Sequence, residues 1–274
     1  MGLRGDRVAA MPRTSLPATI RMATLARAWR LLRAFGAEQT SPADFYQPLA
    51  ADTRALVEAL ASDFGVLPDA HGGLTGARIL DVGCGPGYFA TAFEDCTYVG
   101  LDSDRGELLL GQDVGTRGHF VCADAHRLPF PDDSFDIVYS SNAAEHLPNW
   151  QQMADEMVRV TRPGGLTVIS YTVWLGPFGG HETGLWEHYV GGEFAARRYT
   201  RRHGHPPKNR FGQSLFAVSA AEGLAWLART KAQYPLTVAI PRYHPAWAWW
   251  VTRVPILREF LTSNLVLVLA KPRE

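Results

Sequence analysis

The sequence predicts a doubly wound, mostly parallel α/β sheet, and three observations lead to it. Short apolar runs alternate with helical patterns between Arg78 and Tyr171. The first run breaks into a turn with glycine at every second position, Gly83, Gly85 and Gly87. An acid follows the second run and another the third, Asp102 and Asp124. Alternating short strands and helices form a parallel sheet because each return to the same edge needs a crossover, and the crossover covers a face.

The elements follow in order. Ala23–Phe35 carries Leu25, Trp29, Leu32 and Phe35 at helical spacing and predicts an amphipathic helix. A second helix is expected over Thr53–Phe64, with Asp52 as its cap and Leu56, Val57 and Leu60 as its inner stripe. His71–Gly76 is a loop. Strands are expected at Arg78–Val82, Thr97–Leu101, His119–Cys122, Phe135–Ser140 and Leu166–Tyr171, with a helix over Gln151–Val160. Arg162-Pro163-Gly164-Gly165 stops that helix, since proline cannot continue it and glycine suits its end. Trp174–Ser214, rich in glycine, histidine, aromatics and arginine, is too long for a tight connection and predicts a functional insert. Ser219–Thr230 reads as a helix with a capping box formed by Ser219 and Glu222. Leu236–Ile240 and Leu265–Leu269 are the last strands, and no internal repeat is present.

Composition bounds the function. The 274 residues are 46% apolar and 20% charged with zero formal net charge, which suits a globular protein and gives no overall nucleic-acid footprint. Charge is uneven: seven arginines against Asp6 within residues 1–35, and a basic run over Arg197–Arg210. That run suits either an anionic acceptor or a solvated face. It lacks the aromatic interleaving of a base-stacking platform, so nucleic acid is an unfavoured partner. Three cysteines in no zinc-binding spacing predict reduced thiols and a cytoplasmic protein. No apolar run is long enough to span a bilayer, and the arginine-rich start has no signal-peptide core. Residues 1–20 are expected as a disordered lead-in.

The segment Ile79–Ala90, ILDVGCGPGYFA, carries the chemistry. Its glycines let the backbone turn sharply and approach a ligand, and the following helix is expected to aim its N-terminus there. A generic strand–helix turn or a dinucleotide site are the alternatives. Dinucleotide sites favour G-x-G-x-x-G, whereas here the spacing is G-x-G-x-G with Asp81 two residues ahead.

From Ile79 to Tyr171 the chain resembles the class I S-adenosylmethionine-dependent methyltransferases, nearest to the type-11-domain group and to a little-characterised actinobacterial subgroup. Five features match in order: the glycine turn, Asp102, Asp124-Ala125 with Leu128-Pro129-Phe130, the Phe135–Leu147 stretch, and Glu156–Gly165. The resemblance implies a Rossmann-like sheet of seven strands, the last antiparallel, with S-adenosyl-L-methionine at its carboxyl edge. It implies Asp81, Gly83, Cys84, Gly85 and Gly87 beneath the methionyl part, Asp102 and Ser103 at the ribose, Asp124 and Ala125 at the adenine, and Ser141 and Asn142 at the wall. One methyltransferase domain is expected over 21–274. Its cofactor half covers about 76–171, an acceptor-recognition insert about 172–215, and terminal strands with an aromatic cap 216–274.

Methyl transfer is an in-line displacement that needs alignment and dryness, and a base only where the acceptor must lose a proton. His146 beside Glu145 is the candidate base or a pocket wall. His181, Glu182 and His188 in the insert and Trp247 in the tail are candidate acceptor contacts. Gly176–Glu182 reads as a lid or as an irregular cap. His181 and His188 share no obvious helical face, so their spacing indicates no metal. The aromatic tail, Arg242–Phe260, suits an apolar pocket or packed cap first and a peripheral membrane contact second. A small-molecule, lipid or glycan acceptor is expected, by O-methylation. A non-catalytic cofactor-binding scaffold and a nicotinamide-dependent oxidoreductase are the rivals.

Overall fold

Near-continuous apolar runs become central strands because both their faces are covered. The computed structural model describes residues 15–34, 42–66, 73–113 and 118–273; Phe35, His71, Gly72 and the first arginines lie outside them. The strands are β1 (Arg78–Val82), β2 (Thr97–Asp102), β3 (His119–Cys122), β4 (Phe135–Ser141), β5 (Thr161–Thr172), β6 (Leu236–Pro241) and β7 (Asn264–Ala270). They form one seven-stranded sheet, ordered β3-β2-β1-β4-β5-β7-β6. β1 to β5 pair in parallel, and β7 is antiparallel to both β5 and β6. The expected seven strands with the last antiparallel are present.

The helices are α1 (Pro17–Met22), α2 (Leu25–Ala34), α3 (Pro42–Asp63), α4 (Arg105–Asp113), α5 (Trp150–Val160), α6 (Glu187–Val190), α7 (Gly192–His203), α8 (Ala220–Thr230) and α9 (Leu257–Leu261). Strand side chains alternate between faces. Ile79, Ile137 and Val168 pack with Leu56, Val57 and Leu60 of α3. Leu80, Val138 and Ile169 pack on the other side with Trp150, Met153 and Met157 of α5 and Trp226 of α8. The Ser219–Glu222 capping box holds the start of α8.

Several expectations need correction. The crossover from β1 to β2 is a single 3-10 turn, Ala90–Phe93, rather than a helix. The connection is short, holds Pro86 and Gly87, and buries Phe89 and Phe93 in the core. Asp52 lies inside α3 and caps nothing, because α3 begins at Pro42. α2 presents the opposite face: Leu25 and Trp29 are exposed, while Arg27, Ala28 and Leu31 are buried. Residues 17–20, expected within a disordered lead-in, are ordered: Ala18 N, Thr19 N and Thr19 Oγ1 donate to the Asp63 carboxylate and fix α1 to α3. Residues 162–165 are drawn into β5 as an irregularity in its pairing with β4 instead of forming a free turn. The insert contains α6 and α7, which the composition did not reveal.

The chain runs outward through β1, β2 and β3, then crosses to β4 on the other side of β1. That reversal leaves a crevice at the carboxyl ends of β1 and β4, where open α/β sheets bind ligands. Two backbone positions shape it: Gly83 (φ 79°) after β1 and Asn142 (φ 60°) after β4. A Cβ on Gly83 would overlap that of Ala143, so only glycine lets the two loops meet. Among the described residues, no helix is long and apolar enough to cross a membrane.

Candidate active site

The glycine turn directs its amides inward. Gly83 N and Cys84 N donate to the Leu101 carbonyl at 2.8 and 3.0 Å, and Gly87 N to that of Cys84 at 3.0 Å. Gly85 N donates to Asp102 Oδ2 at 2.8 Å. A phosphate cradle needs such amides facing the ligand and a helix dipole behind them. Here the amides are engaged, and a 3-10 turn of four residues follows. The turn therefore fits a ligand without pyrophosphate, and a nicotinamide dinucleotide is disfavoured. Beside Gly85 the space is open, since a Cβ there would meet nothing within 4 Å.

Asp102 closes β2 against this turn, its Oδ1 accepting from Asp104 N at 2.9 Å. Ser103 beside it is exposed. Asp124 follows β3 with its side chain 67% exposed, while Ala125 is buried. Asp124 Oδ1 accepts from His126 N at 2.9 Å, and that bond holds the carboxyl below its usual range. Asp81, expected beneath the methionyl part, stands one residue before the end of β1. It is buried, and its Oδ2 accepts from Tyr98 and Tyr139 hydroxyls at 2.7 and 2.8 Å. Burial pushes its carboxyl up to about 7 against those two donors. Cys84 packs against Gly100, and burial drives its thiol far above the ordinary range, so it is no nucleophile.

At the end of β4 the wall is held from a distance. Asn142 N donates to the Ser170 carbonyl and its Nδ2 to Thr172 Oγ1. Arg242, fully buried, donates from Nη1 to Ser141 and Ser170 hydroxyls at 3.0 and 3.1 Å and from Nη2 to Thr53 Oγ1 at 2.6 Å. Asp52 lies 3.5 Å from Arg242 Nη2 and takes two bonds from Arg27, at 2.6 and 2.8 Å. This network ties α2 and α3 to the sheet edge.

Next along the chain stand Glu145 and His146. Glu145 is 1% exposed; its Oε1 accepts from Thr172 N at 3.1 Å, and its Oε2 is buried with no hydrogen-bond partner among the described residues. His146 Nδ1 lies 2.6 Å from the Ser214 carbonyl, which can only accept, so in the neutral ring Nε2 keeps its lone pair. The insert brings His181 alongside, with ring centroids 5.2 Å apart. Burial lowers His181 to about 3, leaving it neutral, and its Nε2 is buried with no hydrogen-bond partner among the described residues.

Glu182 and His188 hold the insert together. Both Glu182 oxygens accept from Asn209, at 2.7 and 2.9 Å. His188 is buried, with Nε2 3.1 Å from the Gly176 carbonyl. Gly179 and Gly180 are close-packed, not hinges: a Cβ on Gly179 would overlap the Trp174 carbonyl, and one on Gly180 would stand 2.7 Å from that of Gly184. Trp247 is 73% exposed.

A family model described as a methyltransferase domain matches residues 80–169. An uncharacterized methyltransferase of Mycobacterium avium is 57% identical over 257 residues, 91% of this chain and 96% of its own length. Another, of Mycobacterium tuberculosis, is 56% identical over 253 residues with the same coverage. The chain belongs to the S-adenosylmethionine-dependent methyltransferases. A solved S-adenosylmethionine-dependent methyltransferase from Mesorhizobium loti is similar in fold, with a TM-score of 0.46, 20% identity and coverage of 76% of this chain and 94% of that one.

In this methyltransferase the sequence reading missed Arg242, Arg27 and Asp52 as one unit. Their partners lie up to 215 positions apart, so no spacing could reveal them. It also missed that part of the basic run is structural: Arg198 and Arg202 approach the buried Glu187 carboxylate at 3.2 and 3.5 Å. Arg27 lies off the apolar stripe of Leu25 and Trp29, so α2 itself carried no signal of it.

Proposed function

We propose that this methyltransferase O-methylates a small-molecule, lipid or glycan acceptor, with S-adenosyl-L-methionine seated between the glycine turn and the acids after β2 and β3. The cofactor, when bound, supplies an electrophilic methyl group on a good leaving group. Asp102 would take the ribose hydroxyls and Asp124 the adenine edge, while Ser141 and Asn142 close the wall. Asp81 would act from beneath, fixing Tyr98 and Tyr139 under the turn. The engaged amides of that turn support a cofactor without pyrophosphate.

The observation that carries O-methylation is the lone pair of His146 Nε2, kept by the Ser214 bond on Nδ1. A hydroxyl must lose its proton as it is methylated, and an oriented neutral imidazole can assist that loss. The exposed Leu185, Trp186 and Val190 of the insert and Ile256 and Phe260 of the tail support a lipid or lipid-borne acceptor met at a membrane surface. Tyr189 and Phe260, with rings 6.0 Å apart, make the two patches continuous.

The test is incubation with S-adenosylmethionine labelled in its methyl group, against separated lipid, glycan and small-metabolite fractions. Label in one of these fractions, as a methyl ether, is expected. Label confined to protein or RNA would refute the acceptor class.

A further inference from the structure

Glu145, His146 and His181 each offer a donor atom, and these atoms all lie within 4.8 Å of one another. We propose that the three form a binding site for a divalent metal ion of the zinc class, at the acceptor side of the crevice. The inference rests on the methyltransferase reading only for what the ion would face; the site itself stands on the cluster.

Four features lead there. Glu145 is 1% exposed, one of its oxygens is satisfied by Thr172 N, and Oε2 has no partner among the described residues. A buried carboxylate oxygen left without a donor costs free energy unless something positive meets it. His181 Nε2 is in the same condition, buried and without a hydrogen-bond partner among the described residues. His146 donates through Nδ1 to the Ser214 carbonyl, the outer bond that fixes the ring of a metal-binding histidine and leaves Nε2 to the ion. Finally, φ at His181 is +48°, an uncommon value for a non-glycine residue, in a loop whose glycines are close-packed. The insert is thus built around the placement of that ring.

The donor set names the ion. Two imidazoles and one carboxylate select zinc or a neighbouring transition metal over magnesium or calcium. Metal–ligand bonds of about 2.1 Å place donors roughly 3–3.5 Å apart, so small side-chain rotations close the cluster. Three protein ligands leave a position for water or for the acceptor's oxygen, the arrangement of catalytic rather than structural zinc. With its lone pair on the ion, His146 would hold the metal and no longer take the proton; an acceptor hydroxyl at the open position would lose its proton to solvent, the ion stabilising the oxyanion. The spacing of His181 and His188 gave no hint of this, because the insert folds His181 onto Glu145 and His146 instead.

The experiment titrates the purified full chain, stripped with chelator, with zinc chloride by calorimetry and with cobalt chloride by visible absorption. One equivalent of zinc and the visible bands of low-coordinate cobalt are expected. Glu145→Gln keeps an oxygen for Thr172 N and removes the charge; His181→Ala removes a ligand. Each should weaken zinc binding by about 100-fold or more, since even outer partners of a ligand are worth 10–100-fold. His126→Asn, outside the cluster, should leave it unchanged. If His181→Ala does not fold, Glu145→Gln and nitrogen ligation in the X-ray absorption of the zinc-loaded wild type decide. Absence of saturable zinc binding by folded protein, or binding that survives both substitutions, overturns the site. A chain that methylates without metal loses this inference and keeps its function; one that binds zinc but no S-adenosylhomocysteine does the reverse.

Discussion

The two loops that meet at the sheet's switch point are built in opposite ways. In the glycine turn the bonds are short in sequence: Gly85 to Asp102 and Tyr98 to Asp81 each span 17 positions. Its amides and its buried acid are satisfied within the protein. Across the crevice the bonds span 68 positions from His146 to Ser214 and 190 from Arg242 to Asp52, and the buried Glu145 Oε2 and His181 Nε2 have no hydrogen-bond partner among the described residues. The difference teaches where specificity can reside. A locally closed turn can present only its shape, whereas polar groups held in place from afar and left unpaired are available to a ligand.

The largest effect should come from the distant network. Asp52→Ala strips the acid from two buried arginines, Arg27 and Arg242, and should cost about 3–5 kcal/mol in urea unfolding. A loss under about 1 kcal/mol would mean that the acceptor side is not held by this network.

Asp81 comes next. Its carboxyl titrates near 7 in the folded protein, above its ordinary value of 3.8, because it is buried. An acid whose folded value is raised contributes stability below pH 4, and that contribution is lost as pH rises through 7. Stability should therefore fall by on the order of 2–4 kcal/mol across that window from this group, and Asp81→Asn should flatten the fall. Parallel wild-type and variant profiles would show that Asp81 does not titrate there.

Gly83→Ala should cost roughly 1–3 kcal/mol from its positive φ, and more from the overlap with Ala143. Gly85→Ala, also at positive φ but with open space, should cost less. Equal losses in thermal unfolding would erase the distinction between a packed and an open glycine. The smallest effect concerns the thiols: the exposed Cys122 should alkylate readily while Cys84 does so only on unfolding, as read by peptide mass spectrometry.

The same contrast explains what the sequence made legible. β1 and β3 lie where their apolar runs end, at Arg78–Val82 and His119–Cys122, and the Ser219–Glu222 box is formed, because each is a local property. The inner face of α2 was misread, since an apolar stripe at Leu25 and Trp29 carries no information about an arginine that finds its acid 25 positions later. The 3-10 crossover after Phe89 also departs from expectation, since packing of Phe89 and Phe93 overrode the helix. On the acceptor side Glu145 and His146 were visible as a pair, but not the arrival of His181, which depends on how the whole insert folds.

Titration with S-adenosylhomocysteine tests the cofactor crevice most directly. Wild type should bind it saturably, and Asp102→Ala should weaken binding by about 10–100-fold, the worth of one or two hydrogen bonds to a charged group, while the chain stays folded. Equal affinity in the two proteins, or tight binding of a reduced nicotinamide in its place, would contradict the seating of the nucleoside between the glycine turn and the acid that ends β2.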